Sequence, residues 1–275
     1  NQFTKIKLKK KSKKFQIFKY DNLACKNFSW YKVYRKLFFS YNKWEKILNF
    51  CIHKKIKIYL DIYDNYGLKF LKRHALKIKG IKIQYSYINN NEIFNFLKNE
   101  NKNKNLEIII NITSLKLAEI KYIYLKLRKN YKKITLQFGH QDYPTLLSNS
   151  GFNKIELLKR KFKNLKISFA DHLSAESEES KIFFFISKLF KIDQVEKHFC
   201  FSRKLSKYDF YSSLELDELN KIDKLKIDES KKKIFTKKLK NIYKKNFLLN
   251  YEKNLRKNFS IAHYSKNLKK NDILS

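Results

Sequence analysis

The chain has 275 residues, of which 43% are hydrophobic and 16% aromatic, and this excludes a wholly disordered protein because it is enough apolar material for a large core. Its net charge of +38 would fit a nucleic-acid partner. The excess is almost all Lys, spread from end to end beside many Asn, Ile, Phe and Tyr, with only 4 Gly and 1 Pro. An AT-rich coding sequence would favour all of these residue types together. We therefore attribute the positive charge to codon usage rather than to a nucleic-acid-binding surface.

The cysteines and the hydropathy of the sequence indicate the cellular compartment. Cys25, Cys51 and Cys200 are widely separated and form no CxxC pair, which argues against a disulfide framework and a thiolate zinc site and favours the cytoplasm. No apolar run approaches the roughly 20 residues of a membrane span, since residues 182–190 are interrupted by Ser187 and Lys188. The chain contains no Met, so we expect it to begin inside its gene.

Seven short runs rich in β-branched or aromatic residues predict strands. They are KFQIF from Lys14, IKIYLDIY from Ile56, IKIQYS from Ile81, LEIIIN from Leu106, ITLQFG from Ile134, KISFA from Lys166 and VEKHF from Val195. Most are separated by helical patterns with apolar residues three and four positions apart: NKWEKILNFCIHKK, LKLAEIKYIYLKLRK, NKIELLKRKF and EESKIFFFISKLFK, with SLELDELNKIDKL after the last strand. This alternation predicts parallel strands with crossover helices. A (β/α)₈ TIM barrel needs eight strands, so one strand is expected to be missing at the front.

Two histidines at strand ends predict a metal site. His172 follows the KISFA run, and His198 is the residue before the end of the VEKHF run, 26 positions later. This separation is about one βα unit, so both imidazoles would emerge at the same carboxyl-terminal edge. Asp209 lies just beyond. Imidazole with oxygen ligands suits Mn, Fe or Zn rather than Ca. The alternative is that each His is a structural hydrogen-bonding residue, and His140 is a further candidate.

Other strand ends carry polar residues that would bind a substrate. Lys14 and Lys82 are natural anchors for a phosphate or carboxylate, since an ammonium is a compact charge with three donors. In a chain this rich in Lys, chance placement is the competing explanation. The further polar residues at strand ends are Gln16, Asn111, Gln141, Tyr143, Asp171 and Glu196.

These motifs, taken in order, resemble the N-acetylneuraminate (sialic acid) synthases and the related pseudaminic and legionaminic acid synthases. The resemblance covers almost the whole chain. It rests on KKFQIFKYDNL, QDYPT, FADHLS, VEKHF and SKYDFYSSLELDEL, and on the final NLRKNFSIAHYSKNLKKNDILS, which resembles the start of a small antifreeze-like (SAF) domain. By that resemblance residues 1–227 are TIM-barrel strands 2 to 8, residues 228–253 are a linker or helix, and residues 254–275 begin the antifreeze-like domain.

The resemblance also implies an activity. The family condenses phosphoenolpyruvate with an N-acetylmannosamine-type sugar to a nine-carbon 2-keto acid and phosphate, using Mn²⁺ or Mg²⁺, and works as a homodimer. By resemblance His172 and His198 would bind the metal, and Lys14 and Lys82 would hold phosphoenolpyruvate. The acceptor sugar would be positioned by Gln16, Tyr143 and Asp209.

The phosphoenolpyruvate half of the site departs from the family. Asp61, Tyr85, Asn111 and Ala170 stand where the family has small hydroxyl residues, and Gln141 replaces an Asn or Ser. Asp61 is expected to repel a phosphate and Tyr85 to fill its space. The leading hypothesis is therefore a divergent synthase for a surface polysaccharide sugar. The second is a barrel that binds a sugar or phosphorylated ligand without the condensation, and the third is a nucleic-acid-binding protein.

Overall fold

The computed structural model describes residues 36–85, 91–100, 105–139, 144–223, 229–230, 233–237 and 246–259. Within them, six parallel strands form one sheet in the order of the chain. They are β1 (Tyr59–Asp61), β2 (Gly80–Ile83), β3 (Glu107–Asn111), β4 (Ile134–Phe138), β5 (Lys166–Asp171) and β6 (Gln194–Lys197). All six correspond to predicted strands, and the parallel order is confirmed. The predicted strand from Lys14 lies outside the described residues.

Helices alternate with the strands, as predicted. They are α1 (Tyr41–His53), α2 (Asn65–His74), α3 (Asn91–Asn95), α4 (Leu117–Leu127), α5 (Ile155–Lys161), α6 (Glu178–Lys181), α7 (Phe183–Leu189), α8 (Leu216–Asp223) and α9 (Asn250–Phe259). The pattern EESKIFFFISKLFK forms two helices, because the backbone leaves the helical region at Ile182, whose side chain is buried in the core. In the described ranges, no helix combines the length and the apolar character that a membrane crossing requires.

The outward face of the sheet forms the hydrophobic core. Alternate strand residues on this face are almost fully buried and pack in one cluster with apolar residues of the helices, such as Leu71, Ile120 and Leu158. Each such side chain stabilises the fold by roughly 1.5–3 kcal/mol. The strand residues concerned are Ile81, Ile83, Ile108, Ile110, Leu136, Phe138, Ile167 and Phe169.

The opposite face carries polar side chains, and these show that the sheet is curled. Nζ of Lys82 on β2 lies 2.5 Å from Oε1 of Glu196 on β6. Those strands are four positions apart in the sheet, which would be roughly 19 Å in a flat sheet at about 4.8 Å per strand. A Lys side chain cannot span that distance, so the sheet must bend until β2 and β6 face each other. The fold is therefore part of a (β/α) barrel with a polar interior.

A carboxylate closes the amino-terminal end of the interior. Glu107 accepts hydrogen bonds from the Tyr59 hydroxyl at 2.6 Å and from Lys133 at 3.1 Å, and Lys79 Nζ lies 3.0 Å from the same carboxylate. Burial alone would raise the pKa of Glu107, but these partners outweigh burial and lower the pKa to about 2. The charged form of Glu107 therefore stabilises the folded state.

The pKa shift of Glu107 predicts a pH-dependent contribution to stability. Because the folded-state pKa is depressed, the contribution is present above the ordinary pKa of about 4.5 and is lost as pH falls toward 2. The difference in free energy of unfolding between the native protein and Glu107→Gln should shrink from about pH 6 to about pH 3 in urea titrations. A difference that stays constant or grows over this range would contradict the assignment.

Hydrogen bonds connect helix α9 to the loops that follow β3 and β4. Its Glu252, 1% exposed, accepts hydrogen bonds from Ser114 N at 2.9 Å and from Lys154 Nζ at 2.5 Å. Arg256 donates to the carbonyl oxygen of Ser114 at 2.7 Å and forms an ion pair with Glu119. Helix α9 thus holds both backbone polar groups of Ser114, which adopts a left-handed conformation with φ of 65°.

The predicted start of the antifreeze-like domain at residue 254 falls within α9. Residues 254–259 continue the helix to its end, and residues 260–275 lie outside the described residues. The division of the chain at 227 and 253 stays a prediction.

The buried pair of Glu252 and Lys154 predicts a large loss of stability when one partner is removed. Both side chains are 1% exposed, so Glu252→Ala would leave a buried, unpaired ammonium and should lower the free energy of unfolding by about 3–5 kcal/mol. Urea denaturation of the variant measures this.

A surface pair provides the control. Arg73, whose side chain is 67% exposed, lies 3.7 Å from Glu45, and Arg73→Ala should change stability by less than about 1 kcal/mol. The double variant Lys154→Met, Glu252→Met should recover part of the loss, since it leaves no buried charge. Equal losses for Glu252→Ala and Arg73→Ala would contradict the prediction.

Candidate functional site

The structure brings the two strand-end histidines together. His172 directly follows β5 and His198 directly follows β6, and these strands are neighbours in the sheet. The centroids of the two imidazole rings are 5.3 Å apart. Both residues continue the inward-facing register, two positions after Ala170 and Glu196, which pair directly across the two strands. The imidazoles therefore lie at the carboxyl-terminal edge of the curled sheet.

Backbone hydrogen bonds from following loops fix both histidines. The carbonyl oxygen of His172 accepts hydrogen bonds from Thr145 N and from the Ser212 hydroxyl, each at 2.8 Å. The carbonyl oxygen of His198 accepts one from Leu214 N at 2.9 Å. Segments after β4 and β6 therefore fix the backbone from which the two rings project.

Asp209 is the third predicted residue near the pair. It starts a short 3₁₀ turn with φ of 51°, and Ser213 donates to its carbonyl oxygen at 2.7 Å. Burial raises the pKa of Asp209, and His198 opposes that shift. Burial likewise lowers the pKa of His198, against the charges of Asp209 and Glu196. Each group stabilises the charged form of the other, so together they can hold a proton or a cation at the mouth of the barrel.

Lys82 lies deeper, between two carboxylates. Its Nζ is 2.5 Å from Glu196 Oε1 and 3.7 Å from Asp61 Oδ2, and its side chain is 9% exposed. Gln137 donates to the other oxygen of Glu196 at 3.1 Å. Burial alone would raise the pKa of Glu196, but Lys82 and Gln137 lower it. The predicted anion anchor therefore already has two anionic partners within the chain.

Asn111 joins this network through Gln84. It is fully buried, donates to Gln84 Oε1 at 2.8 Å and accepts a hydrogen bond from Thr113 N. Gln84 donates in turn to Asp61 at 2.7 Å. Asn111, Gln84, Asp61, Lys82 and Glu196 therefore form one continuous inward-facing network across β1, β2, β3 and β6.

Gly139 lets the ends of β4 and β5 approach closely. It adopts φ of 140°, and an added Cβ would lie 2.2 Å from the carbonyl oxygen of Ala170. Its own carbonyl oxygen accepts a hydrogen bond from the Thr113 hydroxyl at 2.6 Å. Only glycine fits this position without moving the backbone beside the histidine pair.

Two residues point away from the site. Tyr85 packs in the hydrophobic core with Ile81 and Ile83, so the expectation that it fills the space of a phosphate is wrong. The reason is the two-residue period of the strand, which places odd-numbered residues of this run on the outward face. Asp171 forms a buried ion pair with Lys197 at 3.0 Å, and burial raises the pKa of Asp171 against the opposing effect of Lys197. Asp171 is therefore structural.

Several predicted residues cannot be placed. Lys14, Gln16, Gln141 and Tyr143, with the further candidate His140, lie outside the described residues. Conversely, Gln84 belongs to the network and Gln137 donates a hydrogen bond to its Glu196, but neither residue was predicted. Each is a single polar residue in an otherwise apolar run, IKIQYS and ITLQFG, and that signal was available in the sequence.

The spacing of the two imidazoles at the mouth is compatible with one divalent metal ion bound by both rings. When two imidazoles bind one ion through metal–nitrogen bonds of about 2.1 Å, a nitrogen–metal–nitrogen angle of about 90–110° places the ring centroids roughly 4.7–5.4 Å apart. The observed distance of 5.3 Å falls in this range. Within the described part of the chain, no three His, Cys, Asp or Glu side chains converge as a complete ligand set. Further ligands would have to come from water, a substrate or residues outside that part.

The comparison with protein families decides the relationship. The NeuB family model matches residues 2–234. This chain belongs to the NeuB family. The match includes the strand predicted from Lys14 and both histidines, so the resemblance seen in the motifs is confirmed. No curated protein sequence matches the chain.

Solved structures agree with this fold. The spore coat polysaccharide biosynthesis protein spsE from Bacillus subtilis is 18% identical with a TM-score of 0.58, over 77% of this chain and 58% of that protein. The N-acetylneuraminic acid (sialic acid) synthetase from Leptospira borgpetersenii, solved with citrate, is 20% identical with a TM-score of 0.54, over 72% of this chain and 70% of that one. The chain thus spans under two thirds of the length of the first.

Proposed function

We propose that this NeuB-family protein is a sialic-acid-type synthase. It joins phosphoenolpyruvate and an N-acetylmannosamine-like sugar, with one water, into a nine-carbon 2-keto acid and phosphate, for a surface polysaccharide. The observation that carries the proposal is the histidine pair at the mouth of a polar barrel, directly above the buried Lys82. Membership of the family supports the same reaction class.

Each residue of the site has a role under this proposal. His172 and His198 hold Mn²⁺ or Mg²⁺, which supplies Lewis-acid polarisation of the sugar aldehyde. Lys82, with Lys14, holds the anionic substrate, and Asn111 and Gln141 fix its orientation. Asp209, Gln16 and Tyr143 position the sugar so that its aldehyde carbon lies close to C3 of phosphoenolpyruvate. Assembly as a homodimer is part of the proposal.

A second function is favoured by the carboxylates around Lys82. Glu196 at 2.5 Å and Asp61 at 3.7 Å already neutralise the ammonium that the reaction would use. A barrel of this kind would bind a sugar or another phosphorylated ligand without condensing it with phosphoenolpyruvate.

The histidine pair provides the test. With phosphoenolpyruvate, N-acetylmannosamine and Mn²⁺, the protein should release phosphate only when the sugar is present, and His172→Ala, His198→Ala should reduce that release at least about 100-fold. The same variant should lose Mn²⁺ binding measured by electron paramagnetic resonance, which needs no turnover.

His53, exposed at the end of α1, provides the matched control. His53→Ala should retain both phosphate release and Mn²⁺ binding. If the native protein binds Mn²⁺ and sugar but releases no phosphate with any 2-acetamido or 2,4-diacetamido sugar, the second function replaces the first. Full activity in the double variant would overturn the assigned metal ligands.

A further inference from the structure

The donors around Asp61 form the set that an anionic ligand would use. Three of them converge on its single oxygen Oδ2: the Gln84 amide at 2.7 Å, the Tyr63 hydroxyl at 3.2 Å and the Lys82 ammonium at 3.7 Å. An ammonium with neutral amide and hydroxyl donors is a common way to bind a carboxylate or phosphate oxygen. Here a side chain of the protein occupies those donors.

The two carboxylates of this cluster are partly exposed. The side chain of Asp61 is 26% exposed and that of Glu196 is 40% exposed, while Lys82 between them is 9% exposed. A small ligand can therefore reach the carboxylates that surround the ammonium without first opening the hydrophobic core.

Within the described residues, only one of the two carboxylate oxygens of Asp61 accepts hydrogen bonds. Its second oxygen, Oδ1, is buried and accepts no hydrogen bond from the described residues. Burial raises the pKa of Asp61 to about 6 although Lys82, Gln84 and Tyr63 all favour its charged form, and the charge of Glu196 adds to the rise. A buried carboxylate oxygen without a hydrogen bond is costly, so an incoming anion does not compete with an optimal contact.

We propose that Asp61 is an internal competitor for anionic substrates: its carboxylate occupies donors that would otherwise bind a carboxylate or phosphate group, and so sets a low affinity for such ligands. The inference builds on the proposed function, since phosphoenolpyruvate is the anion considered there. Asp61 is thus a specificity-determining residue. Glu196 is the structural partner of Lys82, because it alone closes the ion pair across the sheet.

Removing the charge of Asp61 tests this directly. Asp61→Asn keeps the size of the side chain and an acceptor for Gln84, and Lys82 keeps Glu196 as its partner, so the fold should survive. At about pH 8, phosphoenolpyruvate should bind the variant about 10- to 100-fold more tightly in isothermal titration, the range expected for one charge removed a few ångströms from an anion. Unchanged or weaker binding by the folded variant would overturn the proposal.

Two further variants separate the local effect from general charge. Glu107→Gln removes another inward-facing carboxylate at the opposite end of the sheet, and its affinity for phosphoenolpyruvate should match that of the native protein. In Asp61→Asn, Lys82→Met, Glu196→Gln, which leaves no charge of the ion pair without its partner, the gain should disappear, because the donor that Asp61 blocks is gone. An equal gain in Glu107→Gln would mean that overall charge, rather than the position of Asp61, controls binding.

The ratio of sulfate affinities between Asp61→Asn and the native protein gives an independent readout. Sulfate does not titrate in this range, and titration of other groups cancels in the ratio. Because Asp61 is charged above about pH 6 and neutral below it, the ratio should be large near pH 8 and approach one near pH 4.5. A ratio that does not change with pH would contradict the competition.

These binding experiments do not depend on turnover. If Asp61→Asn binds phosphoenolpyruvate more tightly but neither protein releases phosphate, the synthase proposal fails and the competition stands. If the native protein releases phosphate and Asp61→Asn shows no gain in affinity, the synthase proposal stands and the competition fails.

Discussion

The ion pair of Lys82 and Glu196 is the constraint on which the rest of the structure depends. It joins β2 to β6 across the concave face, and no flat sheet could form it. Loss of this partner from a buried ammonium would be costly, so the ion pair stabilises the curvature of the sheet. The curled sheet then brings the ends of β5 and β6 over the same interior, which is where the histidine pair lies.

Because side chains alternate between the two faces of a strand, the residues that form the hydrophobic core and the polar residues of the interior lie on opposite faces of the sheet. Outward positions such as Ile108, Phe138 and Phe169 are fully buried against the helices, whereas inward positions carry Lys82, Asn111, Gln137 and Glu196. Both faces are inaccessible to bulk water at most positions, so the runs look uniformly apolar with single polar interruptions. Those interruptions are the residues that can contact a ligand, and the same register continued past the strand ends delivers His172 and His198 to the mouth.

The sequence predicted the strands and helices well because alternation and helical periodicity are local signals. LEIIIN and ITLQFG became β3 and β4, and the acidic start of α8 appears as Glu218 accepting a hydrogen bond from Glu215 N. Pairs that depend on the curl could not be predicted: Lys82 with Glu196 spans 114 positions, and Glu252 with Ser114 spans 138. Tyr85 was expected to face the site, but it faces the core. The alternation of side chains along the strand, counted from Ile81 and Ile83, would have placed it correctly.

Net charge says little about the site. The chain carries +38, yet Lys82, the Lys of the inward-facing network within the described residues, lies between Asp61 and Glu196, so the surroundings of its ammonium are neutral or anionic. Surface lysines act through water and salt, which screen them beyond about 10 Å at 0.1 M ionic strength. The two half-buried carboxylates act on Lys82 at short distance, in surroundings that screen them less than bulk water does. Under the proposed competition, selection between an anionic and a neutral ligand depends on whether Lys82 is available, and Asp61 and Glu196 determine that.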